Sequence, residues 1–302
     1  MPYAKVIINP FAGAGKSAKE WPQIMDLLEN IGLDFDHALT EAPGHAIELA
    51  KSTAKKGYEL VISVGGDGTI NEVVNGLYVS GNISNVMLGI VSTGTGADYI
   101  RTVGTSTDYK KACQRFMNPK KLTVDLGVVE YTNNGQMMKR FFVNFAGLGF
   151  DAEIVKATTQ EFKALGNTAS YLMGLITTLT LYRNKEISLT MDKEEESKKV
   201  CTVMVSNGKY GGGGMLVAPD ADPTDGLFDT LIIGNLSKPD LLRSLPRIYK
   251  GTHLAHPKVT MKRAREVEIQ STQKMLLQVD GELLGESPAR FYILPATLNI
   301  AI

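Results

Sequence analysis

The stretch Ser63-Val-Gly-Gly-Asp-Gly-Thr-Ile-Asn-Glu72 has the residue types of a phosphate site. An apolar run, Tyr58–Val64, precedes it and reads as a buried parallel strand, while Ile70, Val73, Val74 and Leu77 are spaced as one face of a following helix. A strand that passes through glycines into a helix N-terminus aims free N–H groups and a positive dipole end at one point. Asp67 adds a carboxylate where a metal–phosphate complex would sit. A plain strand–helix turn is the competing reading, because Thr69 and Glu72 have the spacing of a capping box.

Other segments offer chemistry of their own. Asn9-Pro-Phe-Ala-Gly-Ala-Gly-Lys-Ser17 ends like a P-loop, but the first glycine of that motif would fall on Pro10, so it is not one. It reads as a Gly-rich β–α loop on the same edge as the Asp67 loop, where parallel sheets bind ligands. Ser92-Thr-Gly-Thr-Gly-Ala-Asp-Tyr99 is a third such loop. Asp220, Asp222 and Asp225 suggest a hard cation, yet an EF-hand needs glutamate at its twelfth position and Leu231 stands there. Asp280-Gly-Glu282 puts two carboxylates at a turn after the apolar strand Met275–Val279, and Asp-Gly is also a hairpin signal.

The elements that must position these groups fall into two textures. Up to about residue 125, strands at Lys5–Asn9, Phe35–Thr40, Leu60–Val64 and Val86–Val91 alternate with helices, which implies a parallel α/β sheet. Ser17 and Glu20 have capping-box spacing, Gly32 stops that helix, and another helix is expected near Tyr109–Phe116. After Leu122–Leu126, strands at Gly127–Tyr131, Lys139–Phe145, Glu186–Met191, Val200–Val205 and Phe228–Ile233 suggest antiparallel sheets. Thr132–Gly135 and the charged Asp192–Lys199 read as turns between them. Helices at Ala169–Tyr182 and Leu241–Lys250 interrupt, and strands at Lys258–Ile269 and Met275–Val279 follow. We place the domain boundary at residue 127, giving domains of 1–127 and 128–287 with no flexible linker, and a segment of about 288–302 that packs back on the first.

With 302 residues the chain can hold two domains. A formal net charge of zero gives no global field for nucleic acid. Cys113 and Cys201 have no partner motif, which fits a reduced, cytoplasmic setting. The N-terminus lacks a signal pattern, and Tyr171–Tyr182 is too short to span a membrane. That helix reads as core or as a lipid-facing surface. Lys258, Lys262, Arg263 and Arg265 form a basic cluster that fits anionic headgroups or a solvated strand face.

GGDGT continued by Asn71-Glu72-Val73-Val74-Asn75 resembles the signature of the diacylglycerol kinase catalytic family, which includes sphingosine, ceramide and bacterial lipid kinases. The core alone is shared with NAD kinases. Further matches are Asn9–Gly13, Thr40, Gly94-Thr95 with Asp98, Asn144–Asp151, Val205–Gly208, Ala218–Leu227 and Asp280–Glu282, together covering roughly residues 5 to 285. Ser92 and Ala97 depart from it, the family having proline and asparagine there. The resemblance implies a Rossmann-like α/β domain of NAD kinase/diacylglycerol kinase type, followed by an antiparallel β-sandwich. It implies an ATP site at Asn9, Pro10, Phe11, Ala12, Gly13, Thr40, Gly65, Gly66, Asp67, Gly68, Thr69, Ile70, Asn71, Glu72, Gly94 and Thr95. Asp280 and Glu282 would share the base and orienting roles, with Asp67 on ATP-bound Mg²⁺. A second, structural Mg²⁺ would lie at Asp225 with oxygens near Asp222 and Leu227. Asp125 is a weaker candidate for fixing this network, or a strand-end acid.

The activity so implied is transfer of the ATP γ-phosphate to a diacylglycerol-like hydroxyl, by a cytoplasmic protein in transient, peripheral contact with the membrane; monomer and homodimer both stand open. Two alternatives are a soluble-metabolite kinase of the NAD kinase type and a non-catalytic lipid- or nucleotide-binding regulator.

Overall fold

The computed structural model describes residues 3–94, 96–161 and 167–302. The first part alternates as expected: β1 (Ala4–Ile8), α1 (Ala12–Asn30), β2 (Phe35–Leu39), α2 (His45–Lys55), β3 (Leu60–Gly65), α3 (Asp67–Val79), β4 (Met87–Ser92), α4 (Asp98–Thr102) and α5 (Tyr109–Gln114). The strands pair in parallel in the order β4-β3-β1-β2. β3 is buried along its whole length, as an apolar run covered on both faces by helices must be. Apolar residues of α2 and α3, among them Ala46, Ala50, Val73 and Leu77, close one face; Trp21, Ile24 and Leu28 of α1 close the other.

The second part contains β5 (Lys121–Asn133), β6 (Gln136–Phe142), β7 (Phe145–Gly149), α6 (Phe150–Lys156), α7 (Asn167–Leu181), β8 (Lys185–Met191), β9 (Glu194–Ser206), β10 (Tyr210–Gly211), β11 (Met215–Leu216), β12 (Phe228–Gly234), α8 (Lys238–Tyr249), β13 (Val259–Ala264), β14 (Glu266–Gln270), β15 (Leu276–Val279) and β16 (Glu282–Ala301). One antiparallel layer runs β13-β12-β9-β7-β15 and the other β8-β14-β16-β5-β6. Val129, Phe142, Leu148, Val203, Phe228, Val267, Leu277 and Phe291 fill the space between them. This is a β-sandwich whose corners are turned by β9 and β16, each long enough to pair in both layers.

Several boundaries differ from the sequence reading. Residue 127 lies inside β5, so the domain boundary is a continuous strand rather than a gap between elements. β16 pairs with β5 over most of its length and then joins β4 in parallel at Asn299 and Ile300, which carries the C-terminal segment into the first sheet. The expected Asp192–Lys199 turn is a tight hairpin with Asp192 in the left-handed region; Glu194–Lys199 already pair with β8, and Glu196, Lys198 and Lys199 form ion pairs. The single strand expected at Lys258–Ile269 is two, broken at Arg265. Lys139–Phe145 is also two, broken at Val143-Asn144. Neither capping box forms. Ser17 Oγ bonds Thr93 Oγ1, Thr69 Oγ1 accepts from Asn9, and Glu72 caps the other helix, α2, by accepting from the N–H groups of Gly44 and Ala46 at 2.9 and 3.2 Å.

Candidate active site

Three loops meet at the C-terminal ends of β1, β3 and β4. Asn9 N–H donates to Val64 O, and its side-chain amide donates to Thr69 Oγ1 at 3.1 Å. Asn9 Oδ1 in turn accepts from Phe11 N–H at 3.1 Å. Pro10 and Ala12 continue this turn, and Phe11 projects outward at 70 % exposure. Gly13, Ala14 and Gly15 are consecutive left-handed residues, so the regular helix starts only at Lys16. The loops touch backbone to backbone: a Cβ on Gly94 would stand 2.6 Å from Gly66 Cα, closer than real contacts allow. Thr93 N–H bonds Gly65 O across the same seam. Gly68 sits in the first turn of α3, Thr40 is buried with its N–H on Ile8 O, and Ile70 is a core residue with no face toward the loops. Thr95 lies outside the described residues. Lys16 points to solvent and pairs with Glu20.

Asp67 opens α3 and turns its carboxylate onto the start of α4, accepting from Tyr99 N–H at 3.1 Å and from Asp98 N–H at 3.4 Å. Burial pushes its pKa above the ordinary carboxylate value. Asp98 reaches the other way: its two oxygens accept from Gly213 and Gly214 at 2.8 and 2.7 Å, tying the first domain to the Gly211–Gly214 run. Ala97, which precedes it, is left-handed at φ +54°.

The Asp280-Gly281 pair forms the hairpin turn between β15 and β16, with Val279 opposite Glu282 and both turn residues at positive φ. This is the type I′ geometry that Asp-Gly favours. Asp280 is buried. It accepts from Asn71 Nδ2 at 2.8 Å and from the N–H groups of Val143, Asn144 and Phe145 at 3.0 to 3.1 Å. Those N–H groups are free because the strand breaks at Val143-Asn144. Burial nonetheless pushes the Asp280 carboxyl up to about 6, against the pull of its four donors. Glu282, in contrast, is half exposed and paired with Arg140 at 2.6 Å. Sequence left these two acids undivided; the fold gives them unlike surroundings.

Asp67, Asp98 and Asp280 line one cavity of about 210 Å³ together with Asn144, Asp151, Val143, Phe145, Ile154, Val155, Met204 and Met215. Its far wall is apolar. Ile154, Met204 and Met215 also line an adjoining pocket closed by Leu236, Leu241, Leu245 and Ile248. Asp151, half-buried at the junction, accepts from Gln278 Nε2 at 3.0 Å, and Gln278 Oε1 accepts from Gly281 N–H, so a second chain of bonds holds the Asp280–Gly281 turn. Sequence reasoning passed over the Val143–Phe145 amides and Arg140. Asn144 inside an apolar strand pattern was the available signal for the first; Arg140 gave none.

The remaining expected residues lie elsewhere. Asp125 is mid-strand and 1 % exposed, not at a strand end. Its carboxylate accepts from Gly226 and Ala296 N–H, both at 2.7 Å, and Asn207 Nδ2 bonds its carbonyl. It fastens β5 to the 218–227 loop and to β16. Asp222 and Asp225 hold their own loop: Asp222 accepts from Thr224, Asp225 from Leu227 N–H, and Arg263 pairs with Asp225. These are hard oxygen donors of the kind a divalent ion takes, but the guanidinium already supplies the positive charge at that carboxylate. Among the described residues no group of three or more His, Cys, Asp or Glu is placed to hold a metal. Half of the 258–265 basic cluster is neutralised, Lys262 by Glu196 and Arg263 by Asp225 and Asp229. α7 is neither all core nor all surface: Leu175 and Leu179 pack inward, while Met173, Ile176 and Leu181 are exposed. Among the described residues no helix is long and apolar enough to cross a membrane.

A parallel nucleotide-type sheet, a β-sandwich and a carboxylate turn facing the sheet's loops define a two-domain phosphotransferase. The chain belongs to the diacylglycerol kinase family. Residues 3–129 match the family model described as diacylglycerol kinase catalytic domain, and residues 144–302 match the YegS C-terminal NAD kinase beta sandwich-like domain. It is 30 % identical over 304 residues to the diacylglycerol kinase of Bacillus subtilis (strain 168), covering 100 % of this chain and 97 % of that one. The diacylglycerol kinase of Staphylococcus carnosus (strain TM300) is 28 % identical, with 98 % and 94 % covered. Among solved structures, a diacylglycerol kinase from Bacillus anthracis str. Sterne superposes with a TM-score of 0.73 at 21 % identity, covering 99 % of this chain and 96 % of that one. Yeast NADH kinase in complex with NADH shares the fold, with a TM-score of 0.57 at 11 % identity, covering 100 % of this chain and 84 % of that one. The protein is thus a kinase with an alcohol acceptor, and the expected α/β-plus-sandwich fold is the one it has.

Proposed function

We propose that this kinase transfers the γ-phosphoryl group of ATP to the hydroxyl of diacylglycerol or a similar lipid, giving phosphatidic acid or its analogue. The observation that carries this reading is the cavity at the Asp280 turn, polar at its Asp67–Asp98–Asp280 end and apolar where it meets Ile154, Met204 and Met215. An acceptor with a hydroxyl head and hydrocarbon body fits such a site; a dinucleotide leaves the apolar wall unmatched.

In this reading the loops at Asn9–Gly13, Gly65–Thr69 and Gly94 bring backbone N–H groups to the phosphates of ATP. Asn71 and Glu72, placed by sequence beside the nucleotide, serve it indirectly, Asn71 by holding Asp280 and Glu72 by fixing α2. Asp67 is the carboxylate suited to a Mg²⁺ ion carried in with ATP, which would neutralise charge on the phosphates. Asp280 accepts the proton of the acceptor hydroxyl as the new O–P bond forms and the bond to the ADP oxygen breaks. Glu282 orients the turn through Arg140. The lipid is reached by peripheral contact at the membrane surface, where the exposed Met173, Ile176 and Leu181 of α7 offer apolar side chains.

Labelled ATP, Mg²⁺ and vesicles containing diacylglycerol test this, with NAD as the parallel acceptor. Label in phosphatidic acid, lost in Asp280→Asn and Asp67→Ala, is the expected result. Label in NADP alone would overturn it.

A further inference from the structure

Arg140 lies on β6, outside the loops that would hold ATP, and pairs directly with the turn that carries Asp280 and Glu282. Its side chain is only 16 % exposed and its donors are divided. Nη2 bonds Glu282 Oε2 at 2.6 Å, while Nε bonds Asn71 Oδ1 at 3.2 Å. Asn71 is saturated: Oδ1 accepts from Arg140 and from Asn75 Nδ2, and Nδ2 donates to Asp280 Oδ2 and to Phe141 O. Flipping that amide would set its oxygen against a carboxylate and a carbonyl, and its NH₂ against two donors. Asn71 therefore passes Arg140's polarity on to Asp280.

We infer that Arg140 is a positioning residue for phosphoryl transfer, clamping both carboxylates of the Asp280–Glu282 turn, one directly and one through Asn71, and holding Asp280 ionised. The inference rests on Asp280 being the base. The groups facing Asp280 make the need plain. Asp67 of α3, Asp98 and Tyr99 of α4 and Asp151 of α6 line its cavity, and Glu282 follows it in the same turn. All the ionisable groups in this set are acids, and each negative charge among them opposes ionisation of Asp280. Arg101, the other cation nearby, is committed to Asp98 and to Gly96 O. Arg140 is the counterweight that reaches the turn, and ATP adds further negative charge opposite it.

The test compares Arg140→Met, Arg140→Gln and Arg140→Lys with wild type over pH. In the neutral variants kcat is expected to fall about tenfold or more with KM for ATP little changed, and the acid limb of kcat to move up by about one pH unit. Lysine keeps the charge but lacks the fork, so it should restore the limb and only part of kcat. Infrared difference spectra against Asp280→Asn read the Asp280 carboxyl without turnover, and its midpoint should move with the limb. If the neutral variants fold and both midpoints stay at the wild-type pH, the inference fails; a merely structural arginine would lower the melting temperature and leave them in place. If Asp280→Asn keeps wild-type turnover, the base assignment fails instead, and the infrared midpoint still reports on Arg140.

Discussion

Lowering the pH should move activity and stability in opposite directions through the same side chain. Desolvation pushes the Asp280 carboxyl up to about 6 in the folded protein, against about 3.9 in an unfolded chain. Between these values the folded state binds more protons than the unfolded one. Its contribution is therefore most favourable below about pH 4 and is lost as pH rises through about 6. A shift of about two units corresponds to about 3 kcal/mol. Activity runs the other way, since only the carboxylate accepts a proton: kcat should fall about tenfold per unit below pH 6. Single-turnover phosphorylation of diacylglycerol vesicles over pH 4.5–8 (a range of roughly two units about the midpoint) gives the first curve. Denaturant unfolding of wild type and Asp280→Asn at the same pH values gives the second. The asparagine leaves two donors facing an NH₂, a cost independent of pH, so the change in the difference between the two proteins isolates Asp280. Wild type should lose about 2 kcal/mol relative to the variant from pH 4.5 to 7, the rest of the shift lying below that range. A flat difference, or a kcat unchanged at pH 5, would refute the reasoning.

Other outcomes follow from single sites. Asp125→Ala leaves the Gly226 and Ala296 N–H groups without their acceptor and should cost about 1–3 kcal/mol by urea unfolding, with amide exchange at both positions accelerated. Gly94→Ala drives a methyl into Gly66 Cα, so the loops must part; ATP binding by calorimetry should weaken about tenfold or more, with a smaller change in melting temperature. Ala97→Gly relieves a left-handed alanine and should raise stability by about 1 kcal/mol in urea unfolding. Asp98→Asn keeps one acceptor for the Gly213 and Gly214 amides and should lower the melting temperature while leaving Asp67's own bonds to α4 intact, which amide exchange at Tyr99 will read.

The parallel half of the fold was legible because β1, β3 and β4 are largely apolar runs and glycines stand in the loops that follow them; Leu60–Gly65 and its loop are where the pattern put them. The Asp-Gly turn was legible for the same reason. What escaped are features made by long-range pairing. Val143-Asn144 looks like mid-strand until Asp280, more than a hundred residues later in the chain, takes its amides. Ser17, Thr69 and Glu72 have local capping partners at the right spacing, yet each is claimed by a residue from another element. Asp125 could be read as a strand end only because nothing in sequence reveals that β5 continues through the boundary. Local chemistry is visible in a sequence; competition for it from distant segments is not.

β16 begins at Glu282, beside the Asp280–Gly281 turn, and ends paired with β4 in the nucleotide-type sheet. The residues Asn299 and Ile300 fill a strand position in that sheet about two hundred residues after β4 was laid down. A ribosome therefore cannot release a finished first half: its sheet has an open edge at β4 until the very strand that carries Glu282 emerges. The strand that closes the sheet is also the one that carries Glu282, so completing the first sheet waits on a contact of long sequence separation, which is slow to form and leaves β4 exposed until then. A chain cut between the halves should yield a sticky fragment with no activity, so translation itself delivers this kinase all at once.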